Sequence, residues 1–558
     1  MIDLKKYQLT SFVIAAFVGV ATGYCAVGFL KLIEILQPLF WGMAHEHSPL
    51  KVILIPTIGG GVVGIILFLF GKSGTKSHGV AAVTNAMFFR KSRIRAHVAV
   101  AKTLASAISI ASGASVGAEG PMVKLGAAIG SFVGWSGLKD EDFAKTLVAC
   151  GAAAGVSATF NAPLAGVLFA KEIILGRFSY RRFVPVVISS LSASVISRAI
   201  MGDAPVYEQQ GYGFANPWQL PGYALLGLLC AVFAVIFTRV FYGTGKMFAK
   251  LSNIPAFIKP AIGGLLVGLL ALFLPQIMGD GHHPIVEALA GGYSISLLLS
   301  LAVIKILATS LSLGSGGAGG VFAPVLFVGA MLGGGFGKAL GAILPGLSIQ
   351  SGAFALAGMA GLFAGTDHAP FTAIILMMEL TGDYELILPL MLTAVVSVSF
   401  AKSLYREDLT SGFFRQLGRD LEKARHAGHL ARISVEDAMS TELECIAADE
   451  PVVEIVNFIR KAKHKRFPVL DEGNNFIGIL SYGDLKRALQ EGDSKLQAVD
   501  IATQKLITLY PDNNLEEALE IFSEKKIGII PVVNRNNPSK ILGVLTKSDI
   551  AERSLKKK

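Results

Sequence analysis

Two short segments of this 558-residue chain combine residue types suited to holding an anion. They are Gly117-Ala118-Glu119-Gly120-Pro121 and Gly320-Val321-Phe322-Ala323-Pro324, and each opens an apolar run. Proline suits the first helical position, where its missing N–H is not needed and its φ is already helical. Glycine lets the backbone approach a ligand without steric cost. A helix start presents N–H groups that lack intrahelical acceptors, together with a partial positive charge, so it attracts anions. Glu119 lies within the first start, and a carboxylate is itself an anion able to occupy such a site. Its alternative role is to complement the helix dipole at an exposed N-terminus.

These starts need elements to position them, and composition says where those elements lie. The chain is 52% apolar and 16% charged, with a mean hydropathy of +0.57. Apolar stretches long enough, or nearly so, to span a bilayer recur to about residue 405, for example 9–30, 52–70, 220–242 and 386–400. Others, such as 121–135, are short or cut by Gly and Pro. Broken helices are tolerated at membrane depth only when buried in protein or lining a cavity, and in transporters they point to the binding site. The segment 1–30 has lysines before an apolar run too long for a signal peptide, with no small-residue cleavage site, and reads as a retained membrane helix. The basic segments 90–95 and 177–182 fall between apolar runs, which places them on the cytoplasmic side. The net charge of +10 is then mostly a topology signal. No basic stripe with interleaved aromatics supports a nucleic-acid partner. Cys25, Cys150, Cys230 and Cys445 are scattered without metal-ligand spacing and read as small apolar fillers.

The membrane part repeats itself. Gly151, Ala162-Pro163 and Glu172 recur as Gly358, Ala369-Pro370 and Glu379 at one constant offset (370 − 163 = 207). The two glycine-to-proline signatures stand at a similar offset (324 − 121 = 203). Each half thus carries a Gly-rich helix start, a Gly-rich turn and an Ala-Pro helix start. Close helix packing explains the small residues, but not the matched proline and glutamate positions.

Gly117 to Pro121 resembles the GREGP signature of the CLC family of chloride channels and chloride/proton exchangers, and Gly320 to Pro324 matches that family's GxFxP signature. Asn161-Ala162-Pro163-Leu164-Ala165-Gly166 resembles the stretch that follows, and Ser403-Leu404-Tyr405 resembles the segment with the pore tyrosine. The resemblance covers roughly residues 10–415. It implies an all-α polytopic membrane domain, an inverted repeat of broken helices, over residues 1–405.

Several site roles follow from that resemblance. Glu119 is expected to gate the outer pore and accept a proton. Chloride is expected to meet the backbone of Gly117, Ala118, Gly120 and Ala323, the N–H groups of Val321 and Phe322, and the phenol of Tyr405. His78, in Ser77-His78-Gly79-Val80-Ala81, takes the place of the family's pore serine; an imidazole N–H donates to chloride as well. The alternative for His78 is a solvated loop histidine near Lys72 and Lys76. Two departures bear on mechanism. Ala118 replaces the usual arginine of the signature. Ile173 stands where proton-coupled members often carry an inner glutamate, one place after Glu172, and isoleucine cannot relay a proton. Glu172, beside Lys171, reads as a structural acid. A passive channel and a proton-coupled exchanger both remain open.

Composition changes after Tyr405. Residues 406–432 are charge-rich and read as a helical connector. Two related units follow, over 433–493 and 494–558. The first contains Phe467-Pro468-Val469 and later Ser481 and Asp484; the second contains Ile530-Pro531-Val532 and later Thr546 and Asp549. Each reads as strand, turn, strand and acidic helix start, and the two resemble a pair of α/β CBS domains. Ser481 with Asp484, and Thr546 with Asp549, either cap helices or bind the phosphate and ribose of an adenine nucleotide, as the resemblance implies.

The expected protein is a multi-pass chloride transporter in a bacterial inner membrane, with the CBS pair cytoplasmic. It is expected to be a homodimer with one pore per subunit, to contact lipid, chloride and, if coupled, protons, and to need no metal or other cofactor for transport. A cation transporter would want several carboxylates at membrane depth. A membrane-anchored sensor would not need two matched halves. No Ser-His-Asp set or Walker loop suggests an enzyme.

Overall fold

The computed structural model describes residues 2–42, 48–70, 79–136, 141–176, 180–207, 212–213, 216–419, 433–462, 466–491, 496–504, 506–525 and 527–555, together with Leu421 and Leu430. The chain divides into two compact units, Met1–Asp420 and Leu421–Lys558.

The first unit is helical. Among the described residues, eight helices are long and apolar enough to cross a membrane. Their exposed positions are themselves apolar, for example Phe17, Ile58 and Val195, as hydrocarbon surroundings require. Shorter apolar helices, such as Gly79–Phe89, Ala96–Ala111 and Pro370–Thr381, lie between them. The signatures open the helices Glu119–Ser136 and Phe322–Ile343. Pro121 and Pro324 are the third residues of these helices rather than the first, as the sequence had suggested. The whole first turn lacks intrahelical acceptors for its N–H groups, so proline costs nothing there. Pro163 and Pro370 do occupy the first position, in Pro163–Phe169 and Pro370–Thr381.

The internal repeat is visible as matched contacts. Helix Glu119–Ser136 crosses Glu141–Phe160 where a Cβ on Gly126 would strike the Gly151 carbonyl. Helix Phe322–Ile343 crosses Ser351–Asp367 where a Cβ on Gly329 would strike the Gly358 carbonyl. Hydrogen atoms in place of side chains let the backbones touch, the usual route to tight helix pairs in a membrane. Asn161 (φ 54°) and His368 (φ 53°) take matching left-handed conformations immediately before the two Ala-Pro starts. Asparagine adopts that region readily and histidine less so, so the repeat imposes the turn on both.

The second unit holds two small modules. In the first, Ile446–Ala447 pairs parallel with Arg466–Leu470, which pairs antiparallel with Phe476–Ser481. In the second, Ile529–Asn534 pairs antiparallel with Asn537–Thr546, and an isolated parallel bridge joins Leu509 to Val532. Phe467, Val469 and Leu480 are buried in one core, and Ile530, Val532 and Leu545 in the other. Amphipathic helices cover them, such as Val452–Lys461 and Leu515–Glu524.

Candidate functional site

The two signatures meet. Gly117 N–H donates to the Gly320 carbonyl (2.9 Å), and Gly320 N–H donates back to Gly117 (2.7 Å). This two-bond bridge fixes both helix starts against each other. Glycine is required at the junction: a Cβ on Gly120 would sit 2.9 Å from the Gly320 Cα, and one on Gly79 would sit 2.6 Å from the Gly120 Cα. Both helices therefore direct their first, intrahelically unpaired N–H groups into one region.

Glu119 stands in that region with 2% of its surface exposed. Its carboxylate accepts its own backbone N–H and that of Ala323, in the first turn of the second-signature helix. Its other oxygen, Oε2, has no partner among the described residues. A carboxylate held by the N–H of the opposite signature, with one orphaned oxygen, occupies the place of an anion. Asp280 and Tyr207 lie close enough to interact with it electrostatically.

Beside it is a cavity of about 50 Å³, lined by Gly79, Gly120, Val321, Phe322, Asp367 and Thr410 among others. A cavity needs only about 10–15 Å³ by the same measure to hold one water, so there is room here for a halide. Phe322 is aimed by two edge-to-face contacts, to Phe169 at 5.4 Å and to Phe363 at 5.0 Å between ring centroids. These rings come one from each half, so both halves fix a residue that lines the cavity.

Of the residues expected from sequence, Gly120, Val321 and Phe322 line this cavity. Gly117 forms the bridge instead, Ala118 is buried beside it, and the Ala323 N–H is taken by Glu119. His78 lies outside the described residues. Tyr405 is not brought to the cavity: it ends helix Ile387–Leu404, its hydroxyl donates to Glu407 (3.0 Å), and its ring lies under Arg239. Asp408 then takes the N–H groups of Thr410 and Ser411 and starts a new short helix, Ser411–Gln416. That turn carries Leu409, Thr410 and Phe413 to the cavity wall, where Tyr242 joins them by donating its hydroxyl to the Leu409 carbonyl. Sequence reasoning missed Thr410, Tyr242 and Asp367. For Asp367 a signal existed, an acid inside an apolar run.

Glu172 is fully engaged elsewhere. It accepts the N–H groups of Phe371 (3.3 Å) and Thr372 (2.7 Å) and the Thr372 hydroxyl (2.6 Å). Its counterpart Glu379 accepts the N–H groups of Leu164 (3.0 Å) and Ala165 (2.7 Å). Each half's glutamate thus caps the other half's Ala-Pro helix.

In the second unit a cleft of about 620 Å³ opens between the modules, lined by Ser481, Thr546, Asp549, Arg466, Glu442 and Glu444 among others. Asp549 accepts the N–H and hydroxyl of Thr546, both at 2.8 Å, and so caps its helix. Asp484 does the same for Ser481 (3.0 and 2.5 Å) but does not line the cleft; it lies toward Arg487. Among the described residues, no group of three or more His, Cys, Asp or Glu side chains could hold a metal ion.

Comparison with known proteins agrees with this geometry. The family model "Voltage gated chloride channel" matches residues 69–402, and the CBS-domain model matches 435–491 and 498–556. The chain is 32% identical over 396 residues to a putative chloride channel protein ClcB-like of Ralstonia nicotianae, covering 68% of this chain and 91% of that one. It is 39% identical over 302 residues to the H(+)/Cl(-) exchange transporter ClcA of Vibrio parahaemolyticus, covering 53% of this chain and 65% of that one. The structure of a slow cyanobacterial Cl-/H+ antiporter superposes with a TM-score of 0.67 at 25% identity, over 74% of this chain and 98% of that one. A eukaryotic CLC transporter gives 0.64 at 20% identity, over 97% and 98%.

Proposed function

Because this chain belongs to the voltage gated chloride channel family and carries two CBS domains, we propose that its membrane unit moves chloride through the cavity beside Phe322, with Glu119 as the gate. The observation that carries this is the Glu119 carboxylate seated on the Ala323 N–H, across the bridged helix starts. An anion and that carboxylate compete for the same donors, so passage requires the side chain to leave or to be neutralised. The N–H groups of Val321 and Phe322 then replace part of the water shell of the ion. The protein is a transporter and not an enzyme.

Passive flow and proton exchange both use this gate. Proton exchange is favoured by the likeness to relatives named as exchangers and antiporters; passive flow is favoured by Ile173 and by a Glu172 committed to capping. The deciding experiment reconstitutes the full chain in vesicles and measures the reversal potential under opposed pH and chloride gradients. A shift with pH means coupled protons, and no shift means passive flow. Vesicles that pass magnesium and not chloride would refute the assignment altogether.

In the cell the protein is a homodimer with one pore in each subunit, in a bacterial inner membrane, with the CBS pair in the cytoplasm. The cleft beside Asp549 takes an adenine nucleotide that regulates transport. Asp549 lines that cleft and Asp484 does not, so the two aspartates should separate. Titrating ATP into the full chain, Asp549→Ala is expected to weaken binding roughly tenfold or more, the scale of a lost charged hydrogen bond. Asp484→Ala is expected to stay within about threefold. Equal losses would mean that capping alone matters.

A further inference from the structure

The anion cavity has a second carboxylate that nothing so far uses. Asp367 is the last residue of helix Ser351–Asp367, is 7% exposed, and lines the cavity with Val321, Phe322 and Thr410. Its Oδ2 accepts the Thr366 hydroxyl at 3.0 Å. Among the described residues, the cations of the neighbouring elements act elsewhere. Arg415 pairs with Glu407, and Arg239 lies over the Tyr405 ring. Lys402 acts on His368, the next residue in the chain. The charge acting on Asp367 is a second acid, Asp408, whose own carboxylate is held by the N–H groups of Thr410 and Ser411. Tyr242 faces it from helix Leu220–Lys250. On the other helices packed against it, Lys338 and Glu379 are committed away from the cavity, to Gly291 and Tyr293 and to Leu164 and Ala165. Helix His282–Leu289 meets the opposite end, at Gly352.

We propose that Asp367 is a second protonatable gate: the cavity admits an anion only when Asp367 carries a proton. The argument is electrostatic. An ionised Asp367 and an anion would share one cavity of about 50 Å³ in a medium of low dielectric, where like charges at contact repel strongly. A protonated carboxyl has no net charge and offers an O–H donor to the anion. Anion binding and proton binding at Asp367 therefore favour each other, and by linkage each raises the affinity for the other equally. The group stands in a neighbourhood separate from that of Glu119, whose electrostatic neighbours are Asp280 and Tyr207. The Leu409 N–H donates to the Thr366 carbonyl (3.0 Å), which sets Asp367 next to the segment 408–413, the part of the chain that precedes the CBS pair. It thus supplies, from another helix, the inner acid that Ile173 lacks. This rests on the chloride reading of the same cavity.

The test uses the full chain with the outer gate neutralised, Glu119→Gln, so that the remaining carboxylate is read alone. Adding chloride to this variant in weak buffer at about pH 6 to 7 should draw in protons, up to about one per chain. Chloride titrations should show roughly tenfold tighter binding near pH 5 than near pH 8. Asp367→Asn added to Glu119→Gln should abolish both effects, and Asp367→Glu should retain them. No chloride-linked proton uptake by Glu119→Gln overturns the proposal without any Asp367 variant having to fold. A pH profile identical in Glu119→Gln and Glu119→Gln/Asp367→Asn overturns it as well. If the unaltered protein itself passes no chloride in vesicles, the chloride reading has failed instead.

Discussion

Replacing Glu119 by glutamine is expected to leave chloride flux in place and to remove the part of its pH dependence that Glu119 carries. The side chain is isosteric, so the loss is of charge and not of shape. In the closed arrangement the carboxylate holds the Ala323 N–H and its own, with Oε2 unpartnered. A halide about 4 Å from an ionised carboxylate is repelled by ~4 kcal/mol at an effective dielectric of 20, enough to exclude it from the site. Protonation removes that term in the native chain, and glutamine removes it at every pH. Chloride affinity at neutral pH should therefore rise by roughly tenfold or more, read by titration calorimetry. Any pH response left in the flux belongs to another group, Asp367 on the proposal above. Glutamine still offers one carbonyl to the Ala323 N–H, so Glu119→Ala should give the larger flux of the two. A pH profile unchanged from the native one in both variants would remove Glu119 from the gate.

The parts of this molecule legible in the sequence are those that glycine and proline fix locally. The paired signatures, the Ala-Pro starts and the 207-residue offset all survive into the structure as matched helix starts, matched left-handed turns and matched glycine crossings. The CBS pair was legible because each module repeats the same strand, turn and capped helix. The cavity wall was less so. Tyr405 follows an apolar helix as a pore phenol would, but the helix ends there, and the chain turns again at Asp408 before Thr410 reaches the cavity. A side chain–backbone hydrogen bond from a residue four past the helix end decides which residue faces the cavity, and no periodicity reports it. Asp367 was hidden for a different reason. It stands at the end of a helix whose other residues are almost all buried, so its cavity-facing direction depends on packing between distant helices. The glutamates at 172 and 379 were visible as a repeat, while their partners lie 199 to 215 residues away.

Those glutamates make the second large prediction. Glu172→Ala strands the N–H groups of Phe371 and Thr372 and the Thr372 hydroxyl; Glu379→Ala strands those of Leu164 and Ala165. The stranded donors that are buried gain no water in place of the carboxylate, although an unfolded chain in the membrane finds partial substitutes. Each alanine variant is expected to lose about 2 kcal/mol, seen as a fall of roughly 2 °C in the unfolding temperature of the detergent-solubilised chain. Glutamine keeps one acceptor oxygen and should lose about half as much. The two caps join the same pair of segments, one from each half. Cutting either already loosens the contact that the other holds, so the double variant should fall short of the sum by about 1 kcal/mol. The Glu172 result also bears on mechanism. Three donors favour the ionised form of this carboxylate over the protonated one, so Glu172→Gln should lower stability and leave the reversal potential's response to pH unchanged. The opposite pattern, an unchanged unfolding temperature with a lost pH response, would make Glu172 the inner proton acceptor and displace Asp367 from that role.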